Sequence, residues 1–132
     1  MVAVDTNVIV RFLVRDDEKQ ARLVYRRLSR AEAERERLFV PLAVVLETIW
    51  VLGSAYGRSR EDILDAIQDM RQMHVFAFER DEAIEHMLNE GRGNKADLAD
   101  LLIACSARTA GCSSGITFDK GASRLPFFSL LR

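Results

Sequence analysis

The chain has 132 residues, 48% of them hydrophobic, which suits one domain with a real core and leaves little room for a second. Its formal net charge of −1 excludes a nucleic-acid binder that works through an overall basic field, so any such site must be local. No apolar run approaches the roughly 20 residues that cross a bilayer, no signal or targeting segment opens the chain, and Cys105 and Cys112 lack zinc-type partners.

These features predict a cytoplasmic protein whose two cysteines are reduced and buried as small hydrophobes. Met1-Val2-Ala3-Val4-Asp5-Thr6-Asn7 begins with apolar residues that run straight into a carboxylate. The run is too short for a helix and suits a strand buried on both faces, as in a parallel sheet. Asp5 would then stand at the carboxyl end of a strand, where chemistry collects in such sheets. Its alternative role is to cap the helix opening at Thr6. Val8 to Arg15 reads as a short, largely buried helix. Asp16-Asp17-Glu18 then places acids at the start of a long amphipathic helix whose apolar face is Ala21, Val24, Leu28 and Ala31. Leu38-Phe39-Val40 is a second buried strand, closed by Pro41 at the first position of another helix.

From Pro41 to about Tyr56 the sequence is hydrophobic nearly all the way round, with Leu42, Val44, Val45, Leu46, Ile49, Trp50, Val51 and Leu52. That pattern predicts an interior helix. Glu47 is the only charged residue between Pro41 and Gly57, and no Lys or Arg lies within one turn of it. Buried there, it would have to be protonated, pair with a base elsewhere in the fold, or meet a cation. Ser59, followed by Asp62, resembles a capping box for a helix with Ile63, Leu64, Ile67 and Met70 as its core stripe. Val75 to Phe78 is a third strand, and Asp81 to about Gly91 a polar helix that turns Ile84, Met87 and Leu88 inward.

Gly91-Arg92-Gly93-Asn94-Lys95 is a basic, flexible loop. Asn94 is expected to cap a helix over Ala96 to Ala107, in which Asp97 and Asp100 share one face. In a first turn Asp97 would complete the cap, whereas Asp100 lies deeper in an otherwise apolar helix and has no such role. Gly111 ends that helix. Ile116-Thr117-Phe118 forms a fourth strand, and Asp119 terminates it as Asp5 terminates the first, with a plain turn residue as the alternative. Phe127 to Leu131 is a last edge strand.

Alternating strands and helices predict an α/β fold, a single domain over residues 1–132, with a mostly parallel sheet of four to five short strands and helices on both faces. Asp5 and Asp119 then lie at strand ends, while Glu47 and Asp100 project from helices. Four acids without histidine or thiolate partners suit a hard cation, Mg²⁺ or Mn²⁺. Such ions chiefly serve phosphate chemistry.

On Val4-Asp5-Thr6-Asn7-Val8, on Glu47 after Val40-Pro41, on Ala99-Asp100-Leu101-Leu102-Ile103-Ala104 and on Thr117-Phe118-Asp119, the chain resembles the PIN-domain ribonucleases, specifically the VapC-type toxins of toxin–antitoxin pairs. The resemblance covers nearly the whole chain and implies a three-layer α/β/α fold. It carries the family's metal-binding, catalytic acids onto Asp5, Glu47, Asp100 and Asp119, with Asp97 as an additional acid. Thr6, Asn7 and Thr117 match polar positions that hold the acids in place. It further implies Mg²⁺- or Mn²⁺-dependent hydrolysis of RNA to 5′-phosphate and 3′-hydroxyl ends, homodimerisation, and inhibition by a cognate antitoxin. Arg11, Arg15, Arg92, Lys95, Lys120 and Arg124 flank the proposed acid pocket as RNA-phosphate contacts, with solvated surface as the alternative for each. A haloacid-dehalogenase-like phosphatase would need a second Asp where Asn7 stands. A receiver-like signalling domain could use Lys120, but needs an acceptor Asp where Pro41 and Glu79 follow the middle strands. A catalytically silent RNA-binding module of the same fold is the third alternative.

Overall fold

Five short strands and six α-helices form where the apolar pattern places them. The computed structural model describes residues 1–132, and the chain divides into two compact units, Met1–Glu79 and Arg80–Arg132.

The first unit is built on β1 (Val2–Ala3), β2 (Leu38–Val40) and β3 (Phe76–Phe78), which pair in parallel in the order β1-β2-β3. The register sets Val2 opposite Leu38, and Leu38 and Val40 opposite Phe76 and Phe78. Each parallel step needs a crossover. Helices α1 (Thr6–Leu13) and α2 (Glu18–Ala33) supply the first, and α3 (Leu42–Ser54) and α4 (Arg60–Arg71) the second. Asp17 caps α2 by accepting from the Gln20 N–H at 3.0 Å, and Ser59 caps α4 by accepting from Asp62 at 3.1 Å. Such caps are worth about 1 kcal/mol each. The start of α3 has no capping side chain at Pro41, and Glu79, the residue after β3, fills that role by accepting the Leu42 N–H at 2.7 Å. Ile9, Leu38, Val40, Leu64 and Phe76 are among its most deeply buried side chains.

Two expectations fail here. The strand β1 is not buried on both faces: Val2 and Ala3 are exposed, because a two-residue strand at the edge of its sheet pairs with β2 alone. Helix α3 is not interior all round either. Its buried side carries Val44, Val45, Thr48, Ile49 and Leu52, while Ala43, Glu47, Trp50 and Ser54 form an exposed stripe.

The second unit pairs α5 (Asp81–Gly91) with α6 (Leu98–Thr109) through Ala83, Ile84, Met87, Leu88, Leu101, Leu102 and Cys105, all buried. Arg108 bonds Glu90 across the pair at 2.5 Å and reaches the Cys105 sulfur at 3.2 Å. Cys105 is the buried free thiol that was expected, its ionisation pushed up by burial, but Cys112 is exposed beyond the end of α6. Gly111 stops α6 with a φ of +99°, a conformation that disfavours side chains. Strands β4 (Gly115–Thr117) and β5 (Phe128–Leu130) then pair in parallel, and a 3₁₀ turn, Ala122–Arg124, lies between them.

Candidate active site

Asp5 follows β1 in extended backbone (φ −98°, ψ 178°) and ends the strand by becoming the cap of α1. Its Oδ1 accepts the Val8 N–H at 3.1 Å. The capping role and the proposed chemical role therefore coexist, since one hydrogen bond leaves a carboxylate with acceptor capacity to spare. Thr6 is buried behind it and Asn7 is exposed. Asp5, Thr6, Asn7, Ala43, Val44 and Glu47 line one open cavity of about 230 Å³. Glu47 reaches it from the middle of α3 as an exposed side chain. The desolvation cost expected of a carboxylate in an interior helix does not arise, because Glu47 sits on the solvent stripe.

The acids of the second unit line another cavity, of about 410 Å³, with Asn94, Lys95, Ala96, Asp97, Asp100, Asp119, Gly121, Arg124, Leu125 and Pro126. Helix α6 begins two residues later than expected. Asn94 makes a local turn instead, its Oδ1 accepting the Ala96 N–H at 3.0 Å, and Asp97 is the helix cap, accepting the Asp100 N–H at 3.0 Å. Asp100 thus stands in the first turn, where the helix dipole favours a negative charge, and not deep in the helix. Even so, its carboxyl is pushed above the usual aspartate range, first by burial and then by the charges of Asp97 and Asp119.

Asp119, two residues past β4, is held on both sides. Its own N–H donates to the Thr117 hydroxyl at 3.0 Å, and its Oδ1 accepts from the Gly121 and Ala122 N–H groups at 2.6 and 3.2 Å. Thr117 therefore acts on Asp119 through the backbone. Gly121 lies close against the carboxylate: a Cβ there would stand 3.0 Å from the Asp119 Oδ1, which would have to give by a few tenths of an ångström.

The six nominated cations divide sharply. Lys95 and Arg124 line the same cavity as Asp97, Asp100 and Asp119. Lys120 is exposed beside Asp119, and Arg92 is exposed at the end of α5. Arg11 is tied into the fold, donating to Gln20 at 2.6 Å, Asp16 at 3.1 Å and the Tyr56 hydroxyl at 3.2 Å. Arg15 lies over the Tyr25 ring at 4.7 Å and 3.8 Å from Glu18.

The structure thus brings Asp5 together with Glu47, and Asp97 together with Asp100 and Asp119. As a donor set these are all carboxylates, the hard oxygen ligands that Mg²⁺ and Mn²⁺ take, and the Asp100 carboxyl, raised first by burial and then by the charges of Asp97 and Asp119, is one whose ionised form a cation would favour. In neither unit do three such side chains already converge on one metal-binding point. The residue the sequence reading missed is Trp50, taken for core and in fact 67% exposed one turn from Glu47.

Parallel strands joined by helices, with acids at their carboxyl ends, define the class. The PIN domain family matches residues 2–128, and the chain belongs to that family. A VapC ribonuclease of Aquifex aeolicus (strain VF5) is 24% identical over 127 residues, covering 96% of this chain and 93% of that protein.

Proposed function

We propose that this protein is a VapC-like toxin: a metal-dependent ribonuclease that hydrolyses RNA phosphodiesters and is held inactive by a cognate antitoxin. The observation that carries it is the second-unit cavity, where Asp100 and Asp119 meet Lys95 and Arg124 within a chain of the PIN family. The likeness to a VapC ribonuclease along nearly the whole of both chains supports the same reading. The family span over residues 2–128 supports treating 1–132 as one functional domain.

Asp5, Glu47, Asp100 and Asp119 are the acids that would hold Mg²⁺ or Mn²⁺, with Asp97 as a further acid beside Asp100. The ion, when bound, supplies positive charge to polarise the phosphoryl oxygen and to make water a better nucleophile. The chain's own part is orientation. Asp97 fixes the first turn that presents Asp100, and Thr117 with the Gly121 and Ala122 N–H groups fixes Asp119. Lys95 and Arg124 offset the acids' repulsion of a polyanion and draw the RNA backbone to the cavity. Net hydrolysis adds water across a P–O3′ bond, leaving a 3′-hydroxyl and a 5′-phosphate. Homodimerisation and a cytoplasmic location belong to this proposal, and no helix of the chain is long and apolar enough to cross a membrane.

The test is cleavage of labelled single-stranded RNA by the purified protein with Mg²⁺ or Mn²⁺ and with chelator. Titration with a cognate antitoxin should abolish the cleavage at stoichiometric amounts. Metal-supported RNA binding without any cleavage would instead favour the silent RNA-binding module.

A further inference from the structure

Helix α3 brings Ala43, Val44 and Glu47 to the Asp5 cavity, so half of that lining depends on where one helix starts. Helices α1, α2, α4 and α6 are each capped by the side chain of the residue before them, Asp5, Asp17, Ser59 and Asp97. Helix α3 follows Pro41, whose ring offers no acceptor. Its Leu42 N–H donates instead to the Glu79 Oε1 at 2.7 Å, across 37 positions of the chain.

Glu79 is itself fixed to the sheet. Its N–H donates to the Val40 carbonyl at 3.0 Å, one residue beyond the pair that Val40 makes with Phe78. The Pro41 carbonyl accepts the Val44 and Val45 N–H groups at 3.0 and 3.2 Å, so the chain passes from β2 into α3 without slack. A cap from the preceding residue ties a helix only to its own incoming chain, whereas Glu79 ties α3 to β3. Its carboxylate also stands at the helix end where the dipole favours negative charge. The buried side of α3, with Val44, Val45, Ile49 and Leu52, fixes its depth in the core. Apolar contact is non-directional and leaves small rotations and slides of the helix open. A short hydrogen bond at its first residue closes them. Glu47 lies only about one and a half turns past Leu42, so a shift at the helix start carries through to its carboxylate.

We infer that Glu79 is a positioning residue for Glu47: through the Leu42 N–H it sets the rotation and height at which α3 presents that carboxylate beside Asp5. The inference rests on the metal-dependent ribonuclease reading above. Glu79 acts through the helix and touches neither the ion nor the RNA.

The test compares Glu79→Ala, Glu79→Gln and Ser59→Ala in the full chain. Ser59→Ala removes a cap from α4, which lends no residue to the Asp5 cavity, and so shows what a lost cap does by itself. Mn²⁺ affinity is read without turnover, from the free-ion signal in electron paramagnetic resonance. Cleavage of labelled single-stranded RNA is then followed against Mn²⁺ concentration. Groups that hold a metal ligand directly are worth about 10–100-fold in affinity. Glu79 holds Glu47 at one remove, so Glu79→Ala should weaken Mn²⁺ binding by about tenfold, the low end of that range. The Mn²⁺ needed for half-maximal cleavage should rise by the same factor, with a smaller change in the rate at saturating Mn²⁺. Glu79→Gln keeps a side-chain oxygen for the Leu42 N–H and should bind within about twofold of the wild type. Both alanine variants should melt roughly 3–5 °C lower, but Ser59→Ala should bind Mn²⁺ as the wild type does.

Mn²⁺ binding as tight in Glu79→Ala as in Ser59→Ala overturns the inference and leaves the ribonuclease reading standing. A Glu79→Gln protein as impaired as Glu79→Ala also overturns it, because the effect would then follow the charge and not the hydrogen bond. A wild type that neither binds Mn²⁺ nor cleaves RNA fails the ribonuclease reading itself, and the inference with it.

Discussion

Asp97 and Asp100 lie three residues apart on one helix, yet the structure gives them separable duties. The Asp97 Oδ1 caps α6 through the Asp100 N–H at 3.0 Å. Asparagine caps as well as aspartate, so Asp97→Asn keeps the hydrogen bond and removes only the charge, whereas Asp97→Ala removes both. Loss of the cap costs about 1 kcal/mol, and loss of a charge at a helix start roughly 0.3–1 kcal/mol more. The Asn variant also relieves Asp100 of a repelling neighbour, which offsets part of the second figure. Asp97→Ala should therefore melt roughly 3–5 °C below Asp97→Asn for each kcal/mol between them.

Asp100→Asn should behave in the opposite way. Its carboxyl holds a proton more tightly in the fold than in the unfolded chain, so the native state binds more protons. That contribution is fully present below the ordinary aspartate value and is lost as pH rises through the raised one. In chelator at neutral pH, Asp100→Asn should melt no lower than wild type and should flatten this part of the pH–stability curve. Melting curves of the three variants between acid and neutral pH, paired with RNA cleavage assays, test the division of labour. If Asp97→Asn and Asp97→Ala melt together, the cap is not what Asp97 contributes. Cleavage lost as fully in Asp97→Asn as in Asp100→Asn would make Asp97 a full metal ligand.

Three further outcomes are expected. Asp5→Asn should keep the α1 cap and the fold while losing nuclease activity, and Asp5→Ala should lose the same activity and about 1 kcal/mol of stability in addition, as read by urea denaturation. Gly121→Ala should shift the Asp119 carboxylate by a few tenths of an ångström and slow cleavage by roughly tenfold with little change in melting, because small misplacements at a reacting centre are costly in rate. Mn²⁺ at about a hundredfold excess over its dissociation constant should stabilise the wild type by roughly 2.7 kcal/mol, and Asp100→Asn should lose most of that gain in a thermal-shift assay.

Much of the fold was legible because short apolar runs and capping residues are local signals. Leu38–Val40, Ser59 with Asp62, Asp81–Gly91 and Gly111 all stand where the sequence puts them. Helix α3 misled because its composition is almost wholly apolar, and composition does not reveal which side faces water. The periodicity does: from the charged Glu47, steps of three and four residues lead to Ala43, Trp50 and Ser54, the exposed stripe. The start of α6 was misplaced because Asn94 and Asp97 are both good caps, and only the hydrogen bonds show which one the helix uses. The Tyr56 part of the Arg11 engagement could not be read, since Tyr56 lies 45 residues away in the sequence. The acids themselves were visible because each interrupts an apolar segment or ends a strand.

The most direct test of the central claim is a time course of RNA cleavage by the purified wild type and Asp100→Asn, each with Mn²⁺ and with chelator. The wild type should cut single-stranded RNA with Mn²⁺, leave 5′-phosphate ends and be inert in chelator. Asp100→Asn should be slower by roughly a thousandfold or more, about 4 kcal/mol of lost transition-state stabilisation. Cleavage by the wild type that persists undiminished in chelator, or an Asp100→Asn protein that cuts at the wild-type rate with Mn²⁺, would contradict the assignment of a metal-dependent ribonuclease to these acids.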